Sequence, residues 1–532
     1  MNVFKAMAGA LGLLMGVLLS SQPAQADWLR AESPNFIVYG ELPEEELRQR
    51  VERLEQFDQA MRFLSGIKEP AVGRKPEVYL VRTAQIDDVM RGDADGILGF
   101  YKATTDAAAF VATTEEVAAS NSVNGLRVQV RRVYLTADSV LQHEYAHHFM
   151  FQHFNAAHPA WYREGFAEYV STVEIKPEGM LLGKAQYGRA SDLRNWVSAR
   201  RFLQVDAKSS PEDLYSSYVQ GWITTHYFYS SVEMNRSLTK YLQAINQGEA
   251  PEAALKASVG MTFEEFDRAV RAYIDNVKLR QFPGWKPQAL TVEVSPVSAG
   301  RAAVLFDDLG VRLQLGGQEA RVKALRQARA RFPQDQDVAI ALARALVASN
   351  QTGEVEALLT GVADSADVLT IRADALLLQA SQTEDAAAKD AKKLQASQTE
   401  DAAAKEAKKL QARKLYARAN KLDPMHVASL AGYAETLPDA DQVSENALNI
   451  RMLAHGLAPQ VSDLTIRAAF YLMKAARHEE AAELLQPVAF NAHAGENARY
   501  AAALLDAAQA RQPPISRADW RKQVAAAAKA AK

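Results

Sequence analysis

The chain of 532 residues contains no cysteine. Disulfide bonds and lipid attachment through an N-terminal cysteine are therefore excluded. A charge excess is also missing, because 61 lysines and arginines are interspersed with 64 aspartates and glutamates, for a net charge of -3. This balance predicts neither a basic face for nucleic acid nor a polybasic membrane patch. Hydrophobic residues make up 48% of the chain, enough for the cores of about three folding units.

The apolar run at the N-terminus, residues 6–19, is rich in Gly and Ala and short for a membrane span, which takes about 20 residues. It follows Lys5 and precedes the small-residue site Ala24-Gln25-Ala26, an arrangement typical of a secretory signal peptide. We therefore predict a periplasmic or secreted bacterial protein that is cleaved after Ala26 and begins near Asp27. An N-terminal membrane anchor is the alternative, but the short run predicts no stable anchor.

The pattern His-Glu-x-x-His lies in an amphipathic segment with helical periodicity. Positions four apart on a helix lie one above the other, so His143 and His147 can offer imidazole nitrogens to one metal ion. Glu144 projects beside that ion. A second helix carries Glu164 after a short connection that contains proline. The pattern predicts zinc bound by the two histidines and Glu164, and the alternative is an aromatic, histidine-rich core helix.

A catalytic zinc needs three protein ligands and one open position for water. Glu144 is the candidate general base, because a carboxylate beside the metal can accept a proton from water and pass it to a leaving amine. Glu168 follows Glu164 by four residues and shares its helix face, so we expect Glu168 to orient a ligand imidazole. The alternative, in which Glu168 binds the metal and Glu164 orients the imidazole, stays open. We expect the nearby histidines to be ordinary helix or loop residues: His148, His153 and His158.

The motif and the later run Glu164-Gly165-Phe166-Ala167-Glu168-Tyr169 resemble the gluzincin metallopeptidases, the clan of thermolysin and the alanyl-type aminopeptidases. Within that clan the chain is most similar to the bacterial peptidase-MA-like proteins. In those proteins a signal peptide, a strand opening such as Ser33-Pro34-Asn35-Phe36 and C-terminal repeats occur together. The resemblance spans about residues 28–276 and is close at the motifs. It implies a mixed α/β lobe and a helical lobe, with zinc between them.

Aminopeptidases of this clan carry a Tyr-x-x-Gly motif whose phenol stabilises the oxyanion. The segment Tyr218-Val219-Gln220-Gly221 is similar, which implies this role for Tyr218. An amphipathic tyrosine in a helical core is the alternative, and Tyr215 or His226 could substitute. The chain lacks a Gly-Ala-Met-Glu-Asn type segment for a free N-terminus, and its gap before Glu164 is shorter than in the aminopeptidases. These departures favour an endopeptidase.

Residues 27–132 mix strand-like and helical patterns. One of the strand-like segments 99–101 and 107–112 could be an edge strand that hydrogen-bonds an extended substrate backbone. Helical periodicity then dominates, and a zinc peptidase domain is expected to cover residues 27–280. The Pro- and Gly-containing segment 281–300 indicates a linker, in which residues 290–297 resemble one more strand.

In the region 301–532, proline repeatedly follows alanine after five positions, and the fullest instance is Ala412, Tyr416, Ala419 and Pro424. This spacing resembles tetratricopeptide repeats, in which small residues let paired helices approach and proline closes the second helix. It implies an all-α repeat domain that recruits a protein partner or presents the substrate. An unrelated helical bundle is the alternative.

Residues 381–396 recur as 397–412, with Asp390 replaced by Glu406. Sixteen residues advance a helix by about 160° beyond whole turns, so Leu394 and Leu410 would lie on nearly opposite faces of one helix. We therefore predict exposed helix over 381–412, re-started at Ser397, and not a binding site.

The predicted fold is an α+β metallopeptidase domain, with a mixed α/β lobe and a helical lobe, followed by an all-α tetratricopeptide-like helical repeat domain. The predicted function is that of an exported zinc-dependent peptidase with a peptide or protein substrate. Two alternatives stay open. One is a scaffold that acts through its repeats while the zinc domain is idle, and the other is a zinc hydrolase with a non-peptide envelope substrate.

Overall fold

The computed structural model describes residues 27–69, 73–92, 94, 96–119, 122–123, 126–127, 132–154, 156, 158–184, 193–205, 209–389, 395–437, 443–490 and 495–530. The predicted signal peptide, residues 1–26, lies outside these residues together with its cleavage site. None of the described helices combines the length and the apolar character that a membrane crossing requires. The described chain is a mixed α/β structure in which helices predominate.

The described strands are, in chain order, β1 (Leu29–Glu32), β2 (Ile37–Gly40), β3 (Glu77–Val81), β4 (Gly99–Ala103), β5 (Ala108–Thr113), β6 (Val117–Ala119), β7 (Ser122–Val123), β8 (Leu126–Arg127), β9 (Arg132–Leu135), β10 (Glu174–Lys176), β11 (Gly179–Leu182), β12 (Arg280–Pro283) and β13 (Glu293–Pro296).

The described helices are, in chain order, α1 (Glu44–Ser65), α2 (Thr83–Met90), α3 (Ala137–His153), α4 (Ala160–Val170), α5 (Ala199–Phe202), α6 (Pro211–Phe228), α7 (Val232–Asn246), α8 (Pro251–Val259), α9 (Phe263–Ile274), α10 (Ala299–Arg312), α11 (Gln318–Arg331), α12 (Gln336–Ala348), α13 (Val355–Leu359), α14 (Ala366–Lys389), α15 (Gln395–Leu422), α16 (Val427–Glu435), α17 (Glu445–Leu457), α18 (Ser462–Lys474), α19 (His478–Ala489), α20 (Gly495–Gln509) and α21 (Arg517–Ala530).

Six of the described strands form the main sheet, in the order β13-β1-β2-β3-β5-β4. The central pairs β2-β3 and β3-β5 are parallel, and the outer pairs β13-β1, β1-β2 and β5-β4 are antiparallel. Helix α3 packs against β4 and β5. The terminal strand β4 therefore lies next to the helix that carries the motif histidines.

Alternate residues of the central strands enter two different cores, as expected for strand geometry. On β3, Val78 and Leu80 belong to a core that includes α1, α3 and the helices α4 to α9. Tyr79 and Val81 belong to the core on the opposite face, which α2 and α10 close. Leu309 of α10 is completely buried in that second core. The first helix after the predicted linker thus covers one face of the sheet.

The segment 281–300 is not the free linker that the sequence predicted. Strand β12 pairs with β11, and β13 pairs with β1, so both become part of sheets in the N-terminal half. The physical reason is an alternating apolar pattern, because Val292 is buried in the core of the sheet and Val294 packs against it. The expected strand within residues 290–297 is present as β13.

We call residues 299–530 the C-terminal helical region. Successive helices of this region pack against each other, from α10 with α11 to α19 with α20. Ala412, Tyr416 and Ala419 are completely buried where α15 packs against α14. Small residues at this contact let the two helices approach closely.

The duplicated segment 381–412 spans the end of α14 and the first part of α15. Helix α15 begins at Gln395, two positions before the predicted restart at Ser397. Leu410 is 48% exposed, as expected for an exposed helix, but Ala412 is buried. Asp390 and Leu394 lie outside the described residues.

Candidate metal centre

Helix α3, which carries both motif histidines, begins at a capping box. The Thr136 hydroxyl accepts a hydrogen bond from the backbone N–H of Ser139, and the Ser139 hydroxyl accepts one from the backbone N–H of Thr136, both at 3.1 Å. This reciprocal cap satisfies two backbone donors and determines where the helix starts. His143 and His147 then fall on one face of the helix, while Phe149 is completely buried in the core.

Helix α4 presents the two acidic residues. It follows Pro159, which has no backbone N–H and therefore leaves no unpaired donor at the helix start. The helix packs against α3 on one side and against α6 on another. Glu164 and Glu168 lie on the α3 side and are 5% and 2% exposed. Buried carboxylates require partners, and both of these face His143.

The side chains of His143, His147 and Glu164 converge on one point. The Nε2 atoms of the two histidines are 3.1 Å apart, and Glu164 Oε2 is 3.3 Å from each of them. Among the residues that the structure describes, these three form the one group of His, Cys, Asp and Glu side chains arranged to hold a metal ion. A metal site is thus available at the residues that the motif predicted.

The chemistry of this group fits a bound cation. Three lone-pair donors held this close together repel one another unless a proton or a cation lies between them. Glu164 Oε2 is buried and has no hydrogen bond of ordinary geometry within the described residues, although both imidazoles are near. Two imidazoles and one carboxylate suit several divalent transition metals, so the donor set by itself does not select zinc.

The acidic groups determine the electrostatics of the centre. Burial opposes protonation of His143, but the facing carboxylates of Glu164 and Glu168 outweigh it and raise the His143 pKa. Burial favours the neutral form of Glu164, but the two imidazoles and Arg163 outweigh it and hold its pKa well below the usual range. A divalent cation would therefore bind to an ionised Glu164 and displace a proton from the histidines.

Each of the two acidic residues has a distinct contact. Glu168 Oε1 lies 3.5 Å from His143 Nδ1, on the side of the ring away from His147. Glu164 Oε1 accepts hydrogen bonds from Arg163 Nη2 at 3.0 Å and Nε at 3.2 Å, which leaves Oε2 directed at the histidines. Glu164 Oε2 thus lies on the Nε2 side of His143, where a metal ion could bind, and Glu168 lies on the Nδ1 side.

A cavity of about 400 Å³ opens beside the histidines, and its wall includes Glu144, Glu168 and Tyr218. The Tyr218 ring stacks on the His143 imidazole, with ring centroids 5.8 Å apart and planes inclined by 18°. Burial raises the pKa of the Glu144 carboxyl, and the two imidazoles partly offset this effect. A volume of this size is typical of small-ligand sites.

The edge strand β4 forms another wall of the cavity. Gly99, Phe100 and Tyr101 line it, and β4 is the terminal strand of its sheet. A Cβ on Gly99 would lie 2.7 Å from Val140 Cγ1, so the strand runs directly against α3. The backbone N–H of Tyr101 reaches Glu144 and helps to lower its pKa against the effect of burial. The strand is thus placed beside the candidate base.

The other candidate residues lie outside this cavity. His148 Nδ1 is 2.9 Å from the Tyr101 hydroxyl, and burial lowers the His148 pKa to about 3. His226 Nδ1 is 2.8 Å from the Tyr273 hydroxyl. Tyr215 is 40% exposed on α6. The two remaining histidines are likewise outside the metal-binding group: His153 and His158.

Sequence reasoning missed two contributors to the centre. Arg163 directly precedes Glu164 in the sequence. A cation next to a predicted ligand carboxylate could have indicated that Arg163 pairs with Glu164. The approach of the Tyr101 backbone to Glu144 has no comparable signal, because it depends on how β4 folds against α3.

Comparison of the chain with protein-family models, curated proteins and solved structures gives no match.

Proposed function

We propose that this chain is a zinc-dependent peptidase whose metal is held by His143, His147 and Glu164. The observation that carries the proposal is the convergence of the two Nε2 atoms and Glu164 Oε2 beside a cavity that also contains Glu144. Three nitrogen and oxygen ligands are typical of catalytic zinc sites. When bound, zinc would act as a Lewis acid and make water nucleophilic near neutral pH.

Glu144 is assigned the proton transfers. Its carboxylate accepts a proton from the attacking water and returns it to the departing amine. Its place in the cavity wall, next to His143 in the chain, supports this role. Glu168 keeps the His143 ring in orientation through Nδ1, and Arg163 restrains Glu164 through Oε1.

Tyr218 is assigned to the oxyanion. Its hydroxyl donates a hydrogen bond to the substrate oxygen as negative charge develops there. The stacking of its ring on His143 and its place in the cavity wall support this role. The Tyr-x-x-Gly likeness to the gluzincin aminopeptidases supports it independently.

The substrate is proposed to be an extended peptide that adds to the free side of β4. Main-chain hydrogen bonds to an edge strand bind many sequences, and alternate side chains then enter neighbouring pockets. A strand laid across the cavity continues on both sides of the scissile bond. This geometry favours cleavage within a chain, as in an endopeptidase.

The C-terminal helical region is proposed to be a tetratricopeptide-like array that recruits a protein partner or presents the substrate. The packing of successive helices and the buried small residues Ala412 and Ala419 support this assignment. The N-terminal pattern supports export, so the proposed location is the periplasm or the exterior of a bacterial cell.

The test measures bound zinc and the cleavage of a diverse peptide library by the wild type and by Glu144→Gln. We expect about one zinc per chain in both proteins and loss of cleavage in the variant, since the substitution removes the base and leaves the ligands. Glu45→Gln, on the exposed surface of α1, is the matched control.

Unchanged cleavage by Glu144→Gln would remove this residue from the mechanism. Stoichiometric zinc with no cleavage by the wild type would instead favour the scaffold alternative. A wild type without zinc affinity would overturn the proposal at its first step.

A further inference from the structure

A second cavity lies behind α4, on the side away from the metal ligands. It measures about 720 Å³ and is enclosed by α4, α7 and α19. Tyr162, Phe166 and Tyr169 face it from α4, whereas Glu164 and Glu168 of the same helix face His143. The proposed peptidase mechanism uses no part of this cavity.

Most of the cavity wall is apolar. Six of the side chains that form it are Met61, Leu64, Phe154, Val170, Leu238 and Leu242. Helix α19 of the C-terminal helical region closes the opposite side with Gln486 and Pro487. A volume of this size accommodates a small ligand, and apolar walls favour a hydrocarbon chain over a polar one.

One end of the cavity is polar and cationic. Arg280 lines it, and no carboxylate of the described residues lies within ion-pair distance of its guanidinium. The Tyr169 side chain is 1% exposed, and its hydroxyl has no hydrogen bond of ordinary geometry within the described part of the chain. Arg280, Tyr169 and Tyr229 all line this cavity, and Arg280 opposes the increase in pKa that burial causes at the two tyrosine hydroxyls.

Further donors at this end lack acceptors. The Tyr162 and Tyr229 hydroxyl oxygens are 2.9 Å apart, so one hydroxyl donates to the other and the accepting hydroxyl keeps its own proton to donate. His158 is 6% exposed, and neither of its ring nitrogens has a hydrogen bond of ordinary geometry among the described residues, although the Phe154 backbone is near. Buried donors without acceptors are costly, and a ligand rich in acceptors would relieve the cost.

We propose that this cavity binds a single-chain anionic amphiphile, a long-chain fatty carboxylate, with its head at Arg280 and Tyr169 and its hydrocarbon chain in the apolar part. A cationic head would be repelled by Arg280, and a purely apolar ligand would leave the hydroxyl donors unpaired. The one carboxylate among the lining residues, Glu483, is exposed on α19 and does not pair with Arg280.

The test uses the full chain and a dansyl-labelled fatty carboxylate as a fluorescent probe. Unlabelled palmitate, kept below the concentration at which palmitate forms micelles, displaces the probe. We expect saturable binding at one site per chain and at least about tenfold weaker displacement by methyl palmitate, which lacks the charge. Arg280→Gln should weaken binding about tenfold. Lys278→Gln, a nearby exposed cation outside the lining, should have no effect.

A second pair of variants tests the cavity itself without removing a charge. Thr239→Trp places a large ring at an exposed lining position of α7 and should abolish binding, while Lys240→Trp, the next residue and not part of the lining, should not. Both positions are exposed, so the fold should survive, and circular dichroism checks this.

Palmitate and lysophosphatidic acid compare a carboxylate head with a phosphate head. Tighter binding of palmitate supports the proposal, whereas tighter binding of lysophosphatidic acid would overturn the choice of a fatty carboxylate. Equal binding of palmitate and its methyl ester, or an unchanged affinity in Arg280→Gln, would overturn it. None of these measurements depends on zinc or on cleavage, so failure here is separate from failure of the proposed peptidase function.

Discussion

Gly165 of α4 and Gly221 of α6 are in direct backbone contact. A Cβ on Gly165 would lie 2.2 Å from the Gly221 carbonyl oxygen, and a Cβ on Gly221 would lie 2.7 Å from the Trp161 carbonyl oxygen. Residues without side chains allow two helices to cross this closely. The contact therefore sets the separation between the helix that carries Glu164 and the helix that carries Tyr218.

Gly221→Ala is expected to lower the free energy of unfolding by about 1–3 kcal/mol, because its methyl group would force the two backbones apart. Urea denaturation of the variant and the wild type measures this loss. Gly456→Ala is the matched control, since Gly456 also lies in a helix but a Cβ there meets nothing within 4 Å. The control should gain up to about 1 kcal/mol. Equal stability of Gly221→Ala and the wild type would contradict the tight crossing.

Tyr218→Phe is expected to reduce kcat by about 10²–10³ with little change in KM, because the hydroxyl is proposed to stabilise the oxyanion and not the ground state. Steady-state kinetics on a cleaved library peptide measures the two constants. Tyr215→Phe on the same helix is the control, because Tyr215 is 40% exposed and does not line the cavity. Equal kcat values for Tyr218→Phe and the wild type would indicate that the Tyr218 ring only packs against His143 and takes no part in the reaction.

Local elements were predictable where one strong periodic pattern dominates. The predicted strand 99–101 lies within β4 (Gly99–Ala103), and the predicted strand 107–112 differs from β5 (Ala108–Thr113) by one residue at each end. The spacing of His143 and His147 also specifies their shared face, because helix geometry is local. These predictions needed no knowledge of the rest of the chain.

What the sequence could not predict depends on contacts between distant residues. The segment 281–300 was predicted as a linker because its Pro and Gly residues dominate the local pattern, whereas pairing of β13 with β1 depends on residues far away in the chain. The contact between Gly165 and Gly221 is non-local in the same way. The cavity behind α4 is formed partly by α19, which no local pattern connects to it.

Glu168→Gln is expected to weaken zinc binding about 10–100-fold while Glu164→Gln weakens it more, because Glu168 is proposed to act on the metal only through His143. Competition with a zinc chelator measures both affinities. Glu178→Gln, which is exposed beyond the same helix, should bind zinc like the wild type. A larger loss in Glu168→Gln than in Glu164→Gln would exchange the two assigned roles.

Arg312→Met is expected to destabilise the chain by about 3 kcal/mol, since it leaves the partly buried Glu77 carboxylate without its cation. Arg312 donates two hydrogen bonds to the Glu77 carboxylate, at 2.6 and 2.7 Å, and so joins the C-terminal helical region to the sheet. Adding Glu77→Gln to this variant should restore part of the loss, as thermal unfolding can measure.

The exposed pair of Arg326 and Glu354 provides the comparison for that experiment. Arg326→Met should cost less than about 1 kcal/mol, because solvent screens an exposed ion pair. Similar losses in the Arg312 and Arg326 variants would show that the C-terminal helical region is not held to the sheet by its buried charges.

Stability should fall between about pH 4 and about pH 7 because of Asp374. Burial raises the pKa of this carboxyl from 3.8 to about 7, against the opposing effect of a hydrogen bond from the Tyr416 hydroxyl. Between those values the folded chain keeps a proton that the unfolded chain has released. The contribution of Asp374 to stability is therefore complete below the unfolded pKa and is lost as the pH rises through the folded one.

Asp374→Asn should remove this dependence, whereas Asp506→Asn at an exposed position should retain it. Urea denaturation at about pH 5 and about pH 8 compares the three proteins, and a difference between the wild type and Asp374→Asn that is the same at both values would contradict the shift.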